Sequence, residues 1–304
     1  MTTISALTSD YNAMNQPVTI LKSQIDQSVN FTYPSATVGT LEARYVRRQD
    51  DYFITYLSSQ SGCDMACRFC HLTSLGETKL DNARLEDFLE QARLVLGYYD
   101  QQKPANLVHF NFMARGEPLN NPLIRYESDK LLLALKGLAD ERQLNSKFLI
   151  STILPKALDS LTLPQMFPDV HPEIYYSIYS MKPEFRRRWL AKAQSAERGL
   201  EMLKEWQEFS GKVPKIHFAF IEGQNDSEED MHLIADAIKA VDLTVNLNIV
   251  RYNPYDHRYG KEPDEAIVIR NADLLSSLIK APSTRVVPKV GMDVKASCGM
   301  FVGP

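Results

Sequence analysis

Ser58-Ser59-Gln60-Ser61-Gly62-Cys63-Asp64-Met65-Ala66-Cys67-Arg68-Phe69-Cys70 is the stretch whose reading decides the fold. It holds three of the chain's four cysteines at the spacing CxxxCxxC, while Cys298 stands alone near the C-terminus. A secreted disulfide framework is denser and more evenly spread. Thiolates are soft ligands suited to iron–sulfur clusters, zinc or cuprous ions. At this spacing one compact loop presents three thiolates to three irons of a cubane cluster and leaves the fourth iron open. Two other readings stand beside that one. The first is a structural zinc or four-thiolate site completed by Cys298; the second is a set of reduced cysteines with no ligand. Structural zinc sites usually place their thiols as two CxxC-like pairs, and the sequence does not have two.

Outward from this loop, short apolar runs alternate with helical patterns. Leu41–Val46 and Tyr52–Ser58 read as paired strands with Gln49-Asp50-Asp51 as the turn. Further strands are expected at Leu107–Phe112, Lys147–Thr152, Ile174–Ile178, Lys215–Ile221 and Thr244–Val250. Helices are expected at Asn82–Tyr99, Tyr126–Ala139, Pro183–Phe209, Ser227–Ala240 and Asn271–Ile279. Repeated βα units imply an α/β fold around a parallel sheet. Alternation alone leaves an open sheet and a barrel both available, but the unusual segments fall where strands end. These are the cysteine loop, Met113-Ala114-Arg115-Gly116-Glu117-Pro118-Leu119, and the run Asn253–Gly260. In a barrel the chemistry collects at those loops. Residues 1–35 read as a tail or lead-in, and residues 36–304 as a single core domain.

The 304 residues, 44% hydrophobic and 24% charged, suffice for a substantial core. No apolar run reaches the roughly 18–20 residues that span a bilayer, and the first ten residues lack a signal-peptide pattern. A cytoplasmic, membrane-free protein is the expectation. A formal charge of -4 gives no global case for nucleic acid. Arg186-Arg187-Arg188 with Trp189, plus Arg251 and Arg258, offers a modest basic patch, although three consecutive arginines more often form a solvated helix face. Asn225-Asp226-Ser227 matches a glycosylation pattern and reads better as a helix N-cap.

CxxxCxxC with Phe69 before its last cysteine resembles the radical S-adenosylmethionine (SAM) superfamily. The resemblance narrows to the RlmN/Cfr methyl synthases, which methylate adenosine in ribosomal RNA, RlmN also acting on some tRNAs. Six segments match in order over roughly residues 41 to 300. After the cysteine loop come Gly116-Glu117-Pro118-Leu119 and Ser151-Thr152 with Leu154-Pro155-Lys156-Ala157-Leu158. Ser177-Ile178-Tyr179-Ser180, Tyr252-Asn253-Pro254-Tyr255 and Ala296-Ser297-Cys298-Gly299-Met300 complete the series.

This resemblance implies a partial (β/α)6 radical SAM barrel with a small N-terminal β-hairpin extension. It implies a 4Fe–4S cluster on Cys63, Cys67 and Cys70, and SAM held by Phe69, Gly116, Glu117, Ser151, Ser177, Ile178, Tyr179 and Asn253. It also implies an RNA substrate, either rRNA or tRNA, and a flavodoxin-like electron donor. Cys298 matches the cysteine that the family first methylates; a 5′-deoxyadenosyl radical then takes hydrogen from that methyl group, and the carbon radical adds to adenine. Glu42 is a second catalytic candidate, matched to an acidic residue near the substrate. His71 is expected to back the cluster ligands or to be structural.

The sequence also departs from the pattern. The family's resolving cysteine lies seven residues before the first cluster cysteine, where this chain has Tyr56. With three thiols on the cluster, Cys298 has no cysteine left to pair with. No counterpart of the family's N-terminal accessory domain or basic C-terminal tail is seen. The competing expectation is a radical SAM enzyme acting on another nucleotide, a peptide or a small molecule without methyl transfer through Cys298. A third is a non-catalytic metal-binding module.

Overall fold

In a computed structural model, which describes residues 17–158 and 160–303, strand alternation sorts side chains onto two faces. On one face Phe53, Val108, Phe110, Ile150, Ile174, Ile216 and Phe218 are fully buried. On the other, Tyr52, Tyr56, His109, Asn111, Lys215, His217 and Asn248 line an internal lumen. The strands are β1 (Thr19–Lys22), β2 (Val29–Pro34), β3 (Thr40–Gln49), β4 (Tyr52–Leu57), β5 (Leu107–Phe112), β6 (Asn145–Thr152), β7 (Glu173–Tyr176), β8 (Lys215–Ala219), β9 (Asn246–Val250) and β10 (Thr284–Val287). They pair in chain order, antiparallel from β1 to β4 and parallel from β4 to β10. This is the α/β architecture expected, a parallel barrel sheet with an antiparallel N-terminal extension.

The helices are α1 (His71–Leu75), α2 (Leu85–Tyr99), α3 (Pro122–Tyr126), α4 (Ser128–Asp140), α5 (Leu163–Met166), α6 (Pro183–Trp189), α7 (Ala196–Ser210), α8 (Glu228–Ala240) and α9 (Glu265–Ile279). The longer ones cover the apolar face: Phe88 and Val95 of α2, Leu131 and Leu135 of α4, Leu200 and Trp206 of α7, and Met231 and Ile234 of α8 are all fully buried. Ser227 caps α8, exchanging hydrogen bonds with Asp230. Asn225 is fully buried, its amide donating to the Tyr179 and Ala219 carbonyls.

Among the described residues β1 and β10 do not pair, so the sheet is open along one side. The segment after β10 crosses that gap. Asp293 accepts hydrogen bonds from the Ser23 hydroxyl and the Gln24 amide, both at 2.7 Å. Gly291 donates to Asp26, and Asn30 donates to the Val294 carbonyl.

Four expectations need correction. Residues 19–34 are not a lead-in but two strands of the sheet; residues 1–16 lie outside those described. The helix expected at Pro183–Phe209 is two helices, because residues 190–194 bond elsewhere: Gln194 N–H donates to the Leu154 carbonyl and Lys156 N–H to the Lys192 carbonyl. The helix expected at Tyr126–Ala139 is likewise divided at Glu127, and α9 starts at Glu265 rather than Asn271. No helix among the described residues is long and apolar enough to cross a membrane.

Candidate active site

The cysteine loop follows β4 and is fastened by main-chain hydrogen bonds. Ser59 and Gln60 N–H both donate to the Arg115 carbonyl at 2.8 and 3.2 Å, Ser61 N–H donates to the Asp81 carbonyl, and Cys63 N–H to that of Glu77. Two glycines permit this packing. A β-carbon on Gly62 would lie 2.2 Å from the Lys79 carbonyl oxygen; one on Gly116, which sits at φ +95°, would lie 2.7 Å from Gln60 Cβ and 2.8 Å from its amide nitrogen. Gly116 therefore lets the β4 and β5 loops touch each other.

Cys63, Cys67 and Cys70 line one pocket at the C-terminal ends of the strands, together with Phe69, Gly116, Glu117, Ser151, Ser177, Tyr179, Asn253 and Cys298. Of the residues the sequence assigned to SAM, only Ile178 is off the wall: its side chain is fully buried and its carbonyl accepts from Arg186 at 2.7 Å. Phe69 stacks on Tyr179, with ring centroids 4.3 Å apart. Tyr179 takes a left-handed backbone, φ +57°, and the buried Asn225 amide holds its carbonyl at 2.9 Å.

Burial raises all three loop thiols, Cys70 to about 11, and the negative charge each would carry raises its neighbours further. Three thiolates here thus need a strongly positive group to hold them. No three His, Cys, Asp or Glu side chains converge on one ion among the described residues. Separate thiols on one loop fit a cluster in which each metal takes one protein ligand, and do not fit a single zinc.

Glu117 is buried, and burial pushes it up to about 7 although three donors oppose this. Its Oε1 accepts from the Thr152 hydroxyl at 2.6 Å and from Leu119 N–H, and its Oε2 accepts from Ile153 N–H at 3.1 Å. Asn253 Oδ1 is buried without a partner. A carboxylate, a free carbonyl and the Ser151 and Ser177 hydroxyls on one wall suit a zwitterionic, sugar-bearing ligand such as SAM.

Cys298 arrives from the other direction. The Asn253 amide donates to its carbonyl at 3.0 Å and to the Ser297 hydroxyl at 3.3 Å. His71 Nε2 contacts the Asn253 carbonyl at 3.1 Å, and His71 N–H donates to the Gly299 carbonyl. His71 ties the cysteine loop to the Cys298 loop. The Cys298 side chain is exposed, and the surface it exposes faces the cavities that it lines. Its surroundings raise the thiol pKa through desolvation, against the pull of Arg44 and Arg48.

Glu42 is not on the pocket wall. It is fully buried behind it and saturated: Arg44 donates at 2.7 Å, Arg115 through Nε at 3.1 Å and Nη2 at 3.0 Å, and Val302 N–H at 2.9 Å. Arg44 also donates to the Met300 carbonyl at 2.6 Å, while Arg115 reaches Glu77 and the Val302 carbonyl. Both guanidinium groups lie over the Phe301 ring. Glu42 therefore anchors the tail that carries Cys298, with both carboxylate oxygens engaged by arginines. Sequence reasoning missed Arg44 and Arg115, although Arg115 stands inside the Gly116-Glu117 motif amid apolar residues. It also missed His217, whose ring lines the same pocket.

The basic patch is only partly neutralised: Arg187 and Arg188 are exposed and have no ion pair among the described residues. Arg186 is buried and donates to the carbonyls of Ile178, Ser180 and Gln194. Arg251 pairs with Glu262 and Glu265, and Arg258 with Asp256.

With this geometry in hand, comparison with known proteins is specific. A probable RNA methyltransferase of Rhodopirellula baltica is 27% identical over 286 residues, covering 93% of this chain and 72% of that protein. The dual-specificity RNA methyltransferase RlmN of Nautilia profundicola is 23% identical, covering 94% of this chain and 81% of its own length. No protein-family model matches. A crystal structure of a radical SAM methyltransferase from Sphaerobacter thermophilus superposes with a TM-score of 0.74 over 97% of this chain and 88% of the other, at 17% identity. The chain is thus similar over nearly its whole length to RlmN-type RNA methyltransferases, and it shares the fold of a radical SAM methyltransferase. The superposition shows the fold. The site rests on this chain's own residues, among which the family's resolving position holds Tyr56, partly exposed to the lumen below Cys298.

Proposed function

We propose that this chain is a radical SAM RNA methyltransferase that transfers a methyl-derived carbon through Cys298 to an sp2 carbon of adenine. One observation carries the reading: Cys298 shares a pocket with Cys63, Cys67 and Cys70, although some 230 residues of sequence separate them. The curated relatives named as RNA methyltransferases support the substrate class. In this reading the three loop thiols hold a 4Fe–4S cluster. Glu117, Ser151, Ser177 and Asn253 hold the polar groups of SAM, with the Phe69–Tyr179 stack beside its adenine. When bound, cluster and SAM supply the radical that takes a hydrogen atom from a methyl group on Cys298.

The chain's own residues do the positioning. Asn253 fixes the Cys298 main chain, the Glu42–Arg44–Arg115 cluster fixes the tail on either side of it, and the half-closed pocket limits water. A second reading is favoured by Tyr56 and by the pairing of Arg251 and Arg258 with acids: a radical SAM enzyme of a small substrate, without methyl transfer through Cys298.

Peptide mass spectrometry separates them. Protein produced with its cluster and with methyl-deuterated methionine should carry a labelled methyl group, or a nucleotide adduct, on Cys298. An unmodified thiol in protein that still cleaves SAM would sink the carrier role and leave the second reading.

A further inference from the structure

Beneath the cluster pocket lies a second cavity of about 260 Å³, twice the roughly 130 Å³ of the first. It fills the barrel lumen toward the N-terminal ends of β4 to β10, and exposed Ser283, Arg285 and Pro288 border it. The two cavities share Met113, His217, Val250, Arg251 and Cys298, so Cys298 stands at their junction. Parallel barrels usually pack this space with branched apolar side chains. Here it is polar.

Its wall carries six cations and no carboxylate. Four are balanced from behind: Arg44 by Glu42, Lys215 by Glu173, and Arg251 and Lys289 by Glu262. The other two, Arg48 and Arg285, have no ion pair or side-chain hydrogen bond among the described residues, and Arg48 Nε is buried without a partner. Further unpaired polar atoms face the same space. Asn111 Oδ1, on a residue only 4% exposed, is one; His109 Nε2 and Asn246 Oδ1 are others. Tyr52 and His109 stack on each other at 4.7 Å along the wall. Buried polar atoms without partners are uncommon; the two guanidinium groups are donors suited to an anion, whereas Asn111 Oδ1 and Asn246 Oδ1 are acceptors suited to ligand hydroxyl groups beside it. Two guanidinium forks suit a doubly charged phosphate better than a singly charged carboxylate.

We propose that the lower cavity binds the phosphate of a small phosphate monoester, through Arg48 and Arg285, with the rest of the ligand directed up the lumen toward Cys298. The assignment goes beyond the methyl-transfer reading and does not depend on it, because neither arginine lines the cluster pocket.

The test is binding by the whole chain, measured calorimetrically with S-adenosylhomocysteine at saturation so that the upper pocket is blocked. The probes are inorganic phosphate, ribose 5-phosphate and AMP, each against wild type, Arg48→Gln and Arg285→Gln. At least one probe should bind wild type and lose about tenfold, near 1.4 kcal/mol, in each variant; the tightest of the three identifies the source of the phosphate. Both variants should melt no lower than wild type without ligand, because each removes an unpaired positive charge from a cation-rich wall. Absence of arginine-dependent binding by all three probes would overturn the proposal. So would a lowered melting temperature in both variants with unchanged binding, since that marks the two arginines as structural.

Discussion

Residues 58–70 reach the pocket from the end of a strand, and residues 291–302 reach it from across the open side of the barrel. The first segment is held by neutral main-chain hydrogen bonds to neighbouring loops, with Gly62 and Gly116 making room. The second is held by buried charge: Glu42, Arg44 and Arg115 grip the main chain of Ser297, Met300 and Val302. Main-chain bonds fix a loop of almost any sequence once the glycines allow close approach. A buried ion cluster is different, because it is stable only when complete; removing one partner strands the others without solvent. The loop should therefore tolerate side-chain changes that the tail does not.

Glu42→Ala should produce the largest effect. It leaves Arg44 and Arg115, each at most 2% exposed, without their shared counter-charge. A loss of about 3–5 kcal/mol is expected, read as a lowered urea midpoint with early proteolysis within 291–302. Unchanged stability would mean that the tail is held by something else. Gly116→Ala comes next, because its β-carbon meets main chain at a left-handed φ. A cost of about 1–3 kcal/mol is expected, with less iron bound per chain; full cluster loading would contradict the close-approach argument. Asn253→Ala is the smallest, near 1 kcal/mol, since it removes only the side-chain amide's bonds to Cys298, Ser297 and the Arg251 carbonyl. Alkylation of Cys298 by iodoacetamide should speed up in this variant while the unfolding midpoint barely moves. If the rate is unchanged, Asn253 does not position the thiol.

The same contrast explains what the sequence revealed. The cysteine loop, Glu117, Ser151 and Ser177 were legible because their signals are local: a spacing, a strand end, a motif. The strands at 107–112 and 215–219 were legible through runs of apolar and β-branched residues. The strands at 19–22 and 29–34 were not, although Val29, Phe31 and Tyr33 alternate with Asn30 and Thr32, because both are short and set among Ser, Asp and Gln residues, and one bond that fixes them, from Asn30 to Val294, joins residues far apart in the chain. Residues 190–194 fit a helical pattern and leave it because Arg186 and the 154–156 segment claim their carbonyls and amides. Glu42 was misjudged for a related reason. A lone glutamate in a strand looks like a catalytic or solvated group until its two arginines are seen beside it. The lower cavity was invisible for want of any motif; it is assembled from residues of eight strands.

The order of the sheet bears on the timing of synthesis. Its strands pair in the order in which a ribosome delivers them, so the sheet can zip up as the chain emerges. The bond from Val302 to Glu42 closes a loop of 260 residues. Until the last stretch is released, two arginines and a glutamate wait inside a nearly finished barrel with their main-chain partners missing. A nascent chain stalled short of that stretch would hold its three loop cysteines in place and yet offer no thiol opposite them, so the reactive arrangement exists only in chains translated through residue 302.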